Sequence, residues 1–484
     1  MASLSNRLRT DTTVAPLESD REPTWAVTRA SAVSLGERRL EAESYLSDGH
    51  GRRLAIEART HGWAQLETMA DVWKPGRLKG IAVDPNYGAP FLSAGQVFEA
   101  NPRPRKWISL SKTKGASDCY VDRWTLLVSR SGTVGRVTVA HQPQIDVVLS
   151  DDLLRVVSRH SEDLGWLYAY MRTTNFRMMA TTLKYGHVIK HLEASHLKTL
   201  PVIQVAPVIT QRMTEATKEI FRKRDEAQDL VSQAEKLYFD ALGGYLPSAS
   251  YDTFYAISSI NLRIGRRRLD AYYYNRIAAE IEQGIDLAAR STDSLEDVCS
   301  NIFYPKRFRR FFGNSGTPYR SAEELFDLNA PITKRIYASL VERRDDYMLH
   351  AGWLVMACSG QIYGLNGAVS LLTQRHEGIF ASHDLIRLIP NSDKVRAGYL
   401  LLALGNLPLG RPVVVRNAYG TSIPHLDVTD VAKIRIPRIA DEVEREISSL
   451  MVRAVDLQAQ ADDLEDRITD EAEEIVARFI RGLS

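Results

Sequence analysis

Cysteine is scarce in this chain. There are three in 484 residues (Cys119, Cys299 and Cys358), an odd number with no CxxC pair, which argues against both a disulfide framework and a zinc cluster. Long apolar runs are missing as well. The longest, GYLLLALGNLPLG at 398–410, is too short to span a bilayer and is broken by Gly, Asn and Pro. The N-terminal stretch MASLSNRLRTDTT lacks the apolar core of a secretory signal, so a cytoplasmic chain with no membrane contact is expected. Neither a P-loop nor HExxH occurs, and no Gly-rich cofactor turn follows a predicted strand. No catalytic residue and no metal ligand is therefore expected in this chain. One near-miss is DPNYG at 84–88, which resembles the [N/D]PP[Y/F] loop of amino-methyltransferases but departs at the second Pro. Turn chemistry explains it more simply.

A surplus of one charge sign is absent overall, since the net charge is only +2, yet its distribution is uneven. Residues 441–484 hold 13 acidic and 5 basic residues, a net of −8, which leaves +10 on residues 1–440. The basic residues cluster. Arg103, Arg105, Lys106, Lys112 and Lys114 fall in NPRPRKWISLSKTK, Arg263, Arg266, Arg267 and Arg268 in LRIGRRRL, and Lys306, Arg307, Arg309 and Arg310 in PKRFRR. Any one such cluster is commonly solvated surface. Aromatics interleaved with them (Trp107, Phe308, Phe311, Phe312) make phosphate neutralisation the better reading.

What is plentiful is repetition. YGTSIPHLD at 419–427 echoes YGHVIKHLE at 185–193, and each copy leads to an aliphatic–proline pair, Leu200-Pro201 and Ile436-Pro437. The echo belongs to a longer series. LGERRLEAESY (35–45) matches IGRRRLDAYYY (264–274), and LETMADVWKP (66–75) matches LEDVCSNIFYP (295–305). GAPFLSAGQVF (88–98) lies over GTPYRSAEELF (316–326), WTLLVSRSGTVG (124–135) over WLVMACSGQIYG (353–364), and SDDLLRV (150–156) over SHDLIRL (382–388). Order is kept while the offset drifts from 228 to 236, as loop insertions would produce. Two copies of one domain are expected, at 31–205 and 247–439. Short β-rich runs beside helical stretches such as GWLYAYMRTTNFRMMATTL and AGYLLLALGN make each copy α+β.

A long helical pattern follows each copy, at 206–246 and 440–484. In the first, Met213, Ala216, Ile220, Ala227, Leu230, Ala234, Leu237 and Ala241 recur at steps of three and four, with Lys223 the interruption. In the second the series is Val443, Ile447, Leu450, Ala454, Leu457, Ala461, Leu464, Ile468 and Ile475, with Glu471 the lapse. Seams sustained over more than four heptads predict two mated coiled-coil helices, antiparallel, each roughly 50–60 Å long at 1.5 Å per residue. Their length would fix the distance between the two copies. Residues 1–30, polar with two prolines and no periodicity, are expected to form a flexible arm.

A strand–turn signature of the form WTLLVSRSGTVG, an ending GxxIxHL…LP, a following long helix and duplication of the whole unit together resemble the specificity subunit of type I restriction–modification systems. The resemblance covers about residues 35–480; the second turn, CSGQIYG, departs by lacking the Arg and displacing the Gly. It implies two target-recognition domains related by a pseudo-twofold, each reading half of a bipartite site in double-stranded DNA. It also implies a non-catalytic chain in a restriction or related phage-defence complex. Two methyltransferase subunits would dock on it, S-adenosylmethionine would sit on them rather than here, and a restriction/translocase subunit is a further implied partner. Candidate DNA-facing residues are Arg103, Arg105, Lys106 and Lys112; the first turn, Arg130, Ser131 and Thr133; and Lys184, Tyr185, His187 and Lys190. Those of the second copy are Arg307, Arg309, Arg310, Ser359, Gln361, Tyr419, Thr421 and Ser422. Rival readings are a stand-alone DNA-modifying enzyme and a coiled-coil scaffold with no DNA role; the latter leaves the basic clusters unexplained.

Overall fold

The computed structural model describes residues 45, 47–183, 191–247, 256–260 and 268–483. The expected arm at 1–30 lies outside the described residues, as do Lys184, Tyr185, His187, Lys190, Arg263, Arg266 and Arg267.

Among the described residues, ten strands come before the first long helix: β1 (Trp63–Gln65), β2 (Ala70–Trp73), β3 (Ala82–Val83), β4 (Ala89–Leu92), β5 (Lys106–Ile108), β6 (Leu126–Ser129), β7 (Val137–Val139), β8 (Val148–Leu149), β9 (Leu153–Ser158) and β10 (Pro201–Ile203). Ten follow it: β11 (Ser291–Ser294), β12 (Cys299–Phe303), β13 (Phe312–Gly313), β14 (Thr317–Arg320), β15 (Lys334–Ile336), β16 (Leu354–Ala357), β17 (Val369–Leu371), β18 (Phe380–Ala381), β19 (Leu385–Pro390) and β20 (Arg435–Arg438). Sheet orders β2-β9-β6-β7, β3-β5-β4-β8 and β1-β10 become β12-β19-β16-β17, β13-β15-β14-β18 and β11-β20. Adding ten to each strand number of the first set gives the second, down to the one parallel pairing in each, β4 with β8 and β14 with β18. The chain is α+β.

Backbone shape recurs even where residue type does not. Trp124 (φ 75°) stands where Gly352 (φ 84°) stands, and Gly115 (φ 77°) where Arg343 (φ 51°) stands. Keeping a left-handed conformation on a non-glycine residue costs free energy, so these are places where the fold dictates the turn. The echoed proline strands have a physical role too. Tyr170 Oη donates to the Pro201 carbonyl at 2.7 Å and Tyr399 Oη to the Pro437 carbonyl at 2.5 Å, both tyrosines fully buried.

Five helices organise the rest: α1 (Leu164–Arg172), α2 (Thr174–Thr182), α3 (Pro207–Ala241), α4 (Ala397–Gly405) and α5 (Asp441–Arg481). α1 lies against α3 at Gly165, where a Cβ would come within 2.2 Å of the Met213–Thr214 backbone; α4 lies against α5 at Gly398, where it would come within 2.4 Å of the Ser448 carbonyl. Along α3 and α5 the partners are Arg212 with Glu471, Lys223 with Gln460 (2.9 Å) and Glu226 with Arg453 (2.7 Å). Numbers rise on one helix as they fall on the other, so the pair runs antiparallel. Each copy therefore rests on the start of its own long helix and the end of the other's. The first copy's core takes in Met213, Ile220 and Phe221 with Ala461, Ile468 and Val476, and the second copy's takes in Ala227, Ala234 and Tyr238 with Ile447, Ala454 and Leu457.

The buried face differs from the sequence seam in an instructive way. Where Lys223 and Glu471 interrupted the pattern, the buried residues are the neighbours Arg224 and Ala472, and Leu464 gives way to Glu465. A helix of 3.6 residues per turn drifts against a strict heptad, and here the drift brings charged side chains inward.

Candidate nucleic-acid interface

The signature turns occupy the β6–β7 and β16–β17 connections. Strand registers pair Leu126 with Val156 and Leu354 with Leu388, which sets Arg130 opposite Cys358 and Gly132 opposite Gly360. Gly132 thus matches Gly360, one residue from where the sequence match put it, and the Arg has become Cys358. The displaced glycine is the next one, since Gly135 and Gly367 make the same backbone bond, to Ser129 and to Ala357, with positive φ in both. Both turns are pinned alike. Arg130 N–H donates to the Asp152 carbonyl and Leu192 N–H to the Arg130 carbonyl, while Cys358 N–H donates to Asp384 and Leu426 N–H to Cys358.

This pinning joins two separate sequence signals. In the second copy, residues 419–425 close into a small loop through reciprocal backbone hydrogen bonds between Tyr419 and His425 (2.9 and 2.8 Å). Ser359 bridges to His425, Gln361 Nε2 donates to the Ser422 carbonyl at 3.0 Å, and the Gly360 N–H donates to the Pro424 carbonyl. The product is one exposed tip carrying Gln361, Tyr363, Tyr419, Thr421, Ser422 and Ile423. Tyr363 and Ile423 were not among the predicted residues, yet they are 72% and 58% exposed. Arg268 lies 6.0 Å from the Tyr419 ring centroid and is anchored by Asp270 and the Asn417 and Ala418 carbonyls.

In the first copy the turn is more internally committed. The Arg130 guanidinium pairs with Asp152 (3.1 Å) and Glu193 and meets His191 Nδ1 at 3.2 Å, while Ser131 Oγ also bonds to Asp152. Those carboxylates hold the guanidinium more firmly protonated than usual even though burial opposes it. Arg130 fastens the turn to residues 152 and 193, and Thr133 is the exposed member of the predicted trio.

The basic clusters separate in the same manner. Arg103 reaches Glu235 on α3 at 3.1 Å, and Arg105 forms two hydrogen bonds with Glu99 (2.9 and 2.7 Å). Lys106, 5.7 Å over the Phe91 ring, and Lys112 are exposed. Arg307 and Arg309 are exposed, Arg309 lying 5.1 Å over the Phe311 ring, whereas Arg310 bonds to Tyr319 Oη at 3.2 Å. Arg307 and Arg309 precede the second small sheet, and Arg77 and Lys79 hold the same exposed positions before the first. PKRFRR stands out in the sequence as a basic run, and PGRLKG, with two cations in six residues, does not. Two positions after a shared proline (Pro75, Pro305), each segment carries a cation, an apolar anchor (Leu78, Phe308) and a second cation.

DPNYG forms a 3₁₀ turn, with Asp84 accepting from Asn86 N–H at 3.0 Å and Tyr87 80% exposed. Among the described residues, no group of three or more His, Cys, Asp or Glu is placed to hold a metal ion, and no helix is long and apolar enough to cross a membrane.

No protein-family model matches the chain, and no curated protein matches it. Solved structures do. The type I restriction–modification S subunit from M. genitalium aligns with a TM-score of 0.35 and 12% identity over 87% of this chain and 96% of that one. The HsdS subunit from Thermoanaerobacter tengcongensis aligns with a TM-score of 0.26 and 12% identity over the same shares. The type IIG restriction endonuclease BpuSI aligns with a TM-score of 0.27 and 15% identity over 35% of this chain and 28% of its own.

Proposed function

We propose that this chain is the sequence-specific DNA-recognition subunit of a type I restriction–modification or related phage-defence complex. The observation that carries the reading is the duplication: two ten-strand domains of identical sheet order, seated on an antiparallel pair of long helices. Such a molecule has two similar heads facing opposite ways along one rod, related by a pseudo-twofold, with α3 and α5 as a coiled coil between them. Duplex DNA offers equivalent surfaces to two heads so related, as paired half-sites do to dimeric binders. Because the heads share a backbone but not their exposed side chains, the two half-sites can differ. Arg77, Lys79, Lys106, Lys112, Arg307 and Arg309 would sit on phosphates and set register; the tips around Thr133 and around Gln361, Tyr419 and Thr421 would read base edges. The chemistry would belong to methyltransferase subunits docked on this chain, which carry the S-adenosylmethionine, and in a restricting complex to a nuclease subunit.

Selection of the purified chain, with and without a methyltransferase subunit, from a random duplex library tests this. Enrichment of two short motifs at a fixed separation is expected, with methyl transfer only when the methyltransferase is present. A single uninterrupted motif, no enrichment, or methyl transfer by the chain alone would overturn it.

A further inference from the structure

Among the described residues the two heads meet beside the helix pair, where Arg172 of the first copy donates to the Asn329 carbonyl of the second (3.4 Å) and two short segments run side by side. Residues 98–100 lie antiparallel to residues 326–328: Ala100 N–H donates to the Phe326 carbonyl at 2.9 Å, Leu328 N–H donates to the Phe98 carbonyl at 2.7 Å, and Glu99 bridges Asp327 between them. These are the same positions of the two copies, so each segment meets its own counterpart, the hallmark of an isologous contact.

Such a pairing sets two carboxylates opposite each other, and like charges in a half-buried place repel unless countered. Glu99 is countered within its own copy by Arg105. Asp327 is countered across the junction by Arg136 of the first copy, at 3.2 Å, whose guanidinium also lies 4.4 Å from the Phe98 ring centroid. Beside the junction each copy grips the long helix under the other. Arg103 holds Glu235 on α3, and Asn329 Nδ2 donates to Glu465 and Asp466 on α5, both at 2.8 Å. A cavity of about 980 Å³ opens next to the junction, lined by Phe98, Arg136, Arg177, Asp327 and Asp462 among others. The contact thus joins the rims of two small cores, with Phe98 inside one and Phe326 packed against the other, and open space lies beside it.

We propose that this junction is a clasp, with Arg136 as its positioning residue, that fixes the separation of the two heads. Resting on the DNA-recognition reading, it fixes with that separation the number of unread base pairs between the half-sites. The helices alone do not set the spacing. They carry the heads, and the clasp removes the bending freedom that a two-helix rod of this length would leave.

The test uses the full chain with spin labels at Lys114→Cys and Glu342→Cys, exposed positions outside the clasp; the three native cysteines are buried. Arg136→Ala leaves the Asp327 carboxylate half-buried without its cation, a costly arrangement. The label-to-label distance should shift and broaden, and library selection should lose its single preferred spacer while both half-site motifs stay the same. Adding Asp327→Asn removes the stranded charge and should restore the narrow distance and the single spacer. A role for Arg136 limited to packing on Phe98 would show no such rescue. An unchanged distance distribution in Arg136→Ala overturns the clasp, and a broadened distribution with an unchanged spacer overturns its role in spacing. If the unmodified chain selects no split site, the DNA reading fails, and the distances alone still decide whether the clasp exists.

Discussion

The two copies agree in one set of positions and diverge in another. Arg155 and Arg387 are both fully buried, each donating to two backbone carbonyls: Leu153 and Ser150 in the first copy, Leu385 (2.6 Å) and Ser382 (3.1 Å) in the second. Burial pushes both guanidiniums down to about 10. Trp166 Nε1 donates to the Ile203 carbonyl where Tyr399 Oη donates to that of Pro437, and Gly165 and Gly398 each let a helix approach its long partner. At the tips the Ser-Gly pair is kept (Ser131-Gly132, Ser359-Gly360), but the residues flanking it change: Arg130 corresponds to Cys358, and Thr133 to Gln361. Framework positions keep their chemistry and presenting positions do not. A protein that must hold two different partners in one geometry calls for that division.

The helix pair shows the same contrast along its length. Where the first copy meets it, Arg224 is buried with Glu465 at 2.9 Å and Asp462 at 2.8 Å, and Arg172, Tyr168 and Asn329 converge on the same carboxylate. Burial would raise the Glu465 carboxyl, but the surrounding arginines hold it down at about 2. In the other half the equivalent positions are Val231 and Gln458, with no such ion pair. A one-sided charged lock distinguishes the correct register of two otherwise similar helices, a role seen for buried polar groups in coiled coils.

The sharpest way to break that contrast is Glu465→Ala. It strands Arg224 and Arg172 in a dry site and should cost about 3–5 kcal/mol in chemical denaturation. Replacing both partners to imitate the other half, Arg224→Gln with Glu465→Val, removes one stranded arginine but leaves Arg172 without its carboxylate and Asp462 without Arg224, so it should recover only part of that loss. A double variant as stable as the unmodified protein would mean that the pair of Arg224 with Glu465 is the whole of the lock. Next in size, Arg155→Met and Arg387→Met should each cost about 2–4 kcal/mol, since two buried carbonyls lose their donor. Equal losses support the equivalence of the copies, and a loss at one site only breaks it.

A smaller effect concerns the clasp. Burial pushes the Asp327 carboxyl up to about 6, with Arg136 opposing the shift and Glu323 and Glu99 adding to it. The closed form therefore binds this proton more tightly than an open one. Its stability should rise as pH falls through about 6 and level off near 4, by on the order of 1 kcal/mol. Distance measurements at pH 7 and pH 5 check the sign, and Asp327→Asn should abolish the difference. Smallest for folding are Lys79→Ala and Arg309→Ala, each within about 0.5 kcal/mol. Each should nonetheless weaken DNA binding without changing the motif and lower the salt slope by about 1.

The duplication was legible because strand cores, turn formers and the helix-contacting glycines recur by type at a nearly constant offset. The buried lock was not, because charged residues on a helix read as solvent-facing until the two helices are laid antiparallel. Nor was the role of Arg130. Its carboxylate partners lie 22 and 63 residues away in sequence, so a cation in a polar turn looked free. Arg77 and Lys79 escaped notice because PGRLKG is a thinner basic run than PKRFRR, and only the matched positions of Pro75 and Pro305 pair the two segments.

The central claim, that each copy reads its own half of a split site, is tested most directly by replacing residues 35–205 with the matching domain of a related chain and mapping methylated sites in cells that hold the methyltransferase subunit. One half of the recognised sequence should change while the other half stays as it was. If both halves change together, or neither does, the two copies are not independent readers and the account is wrong.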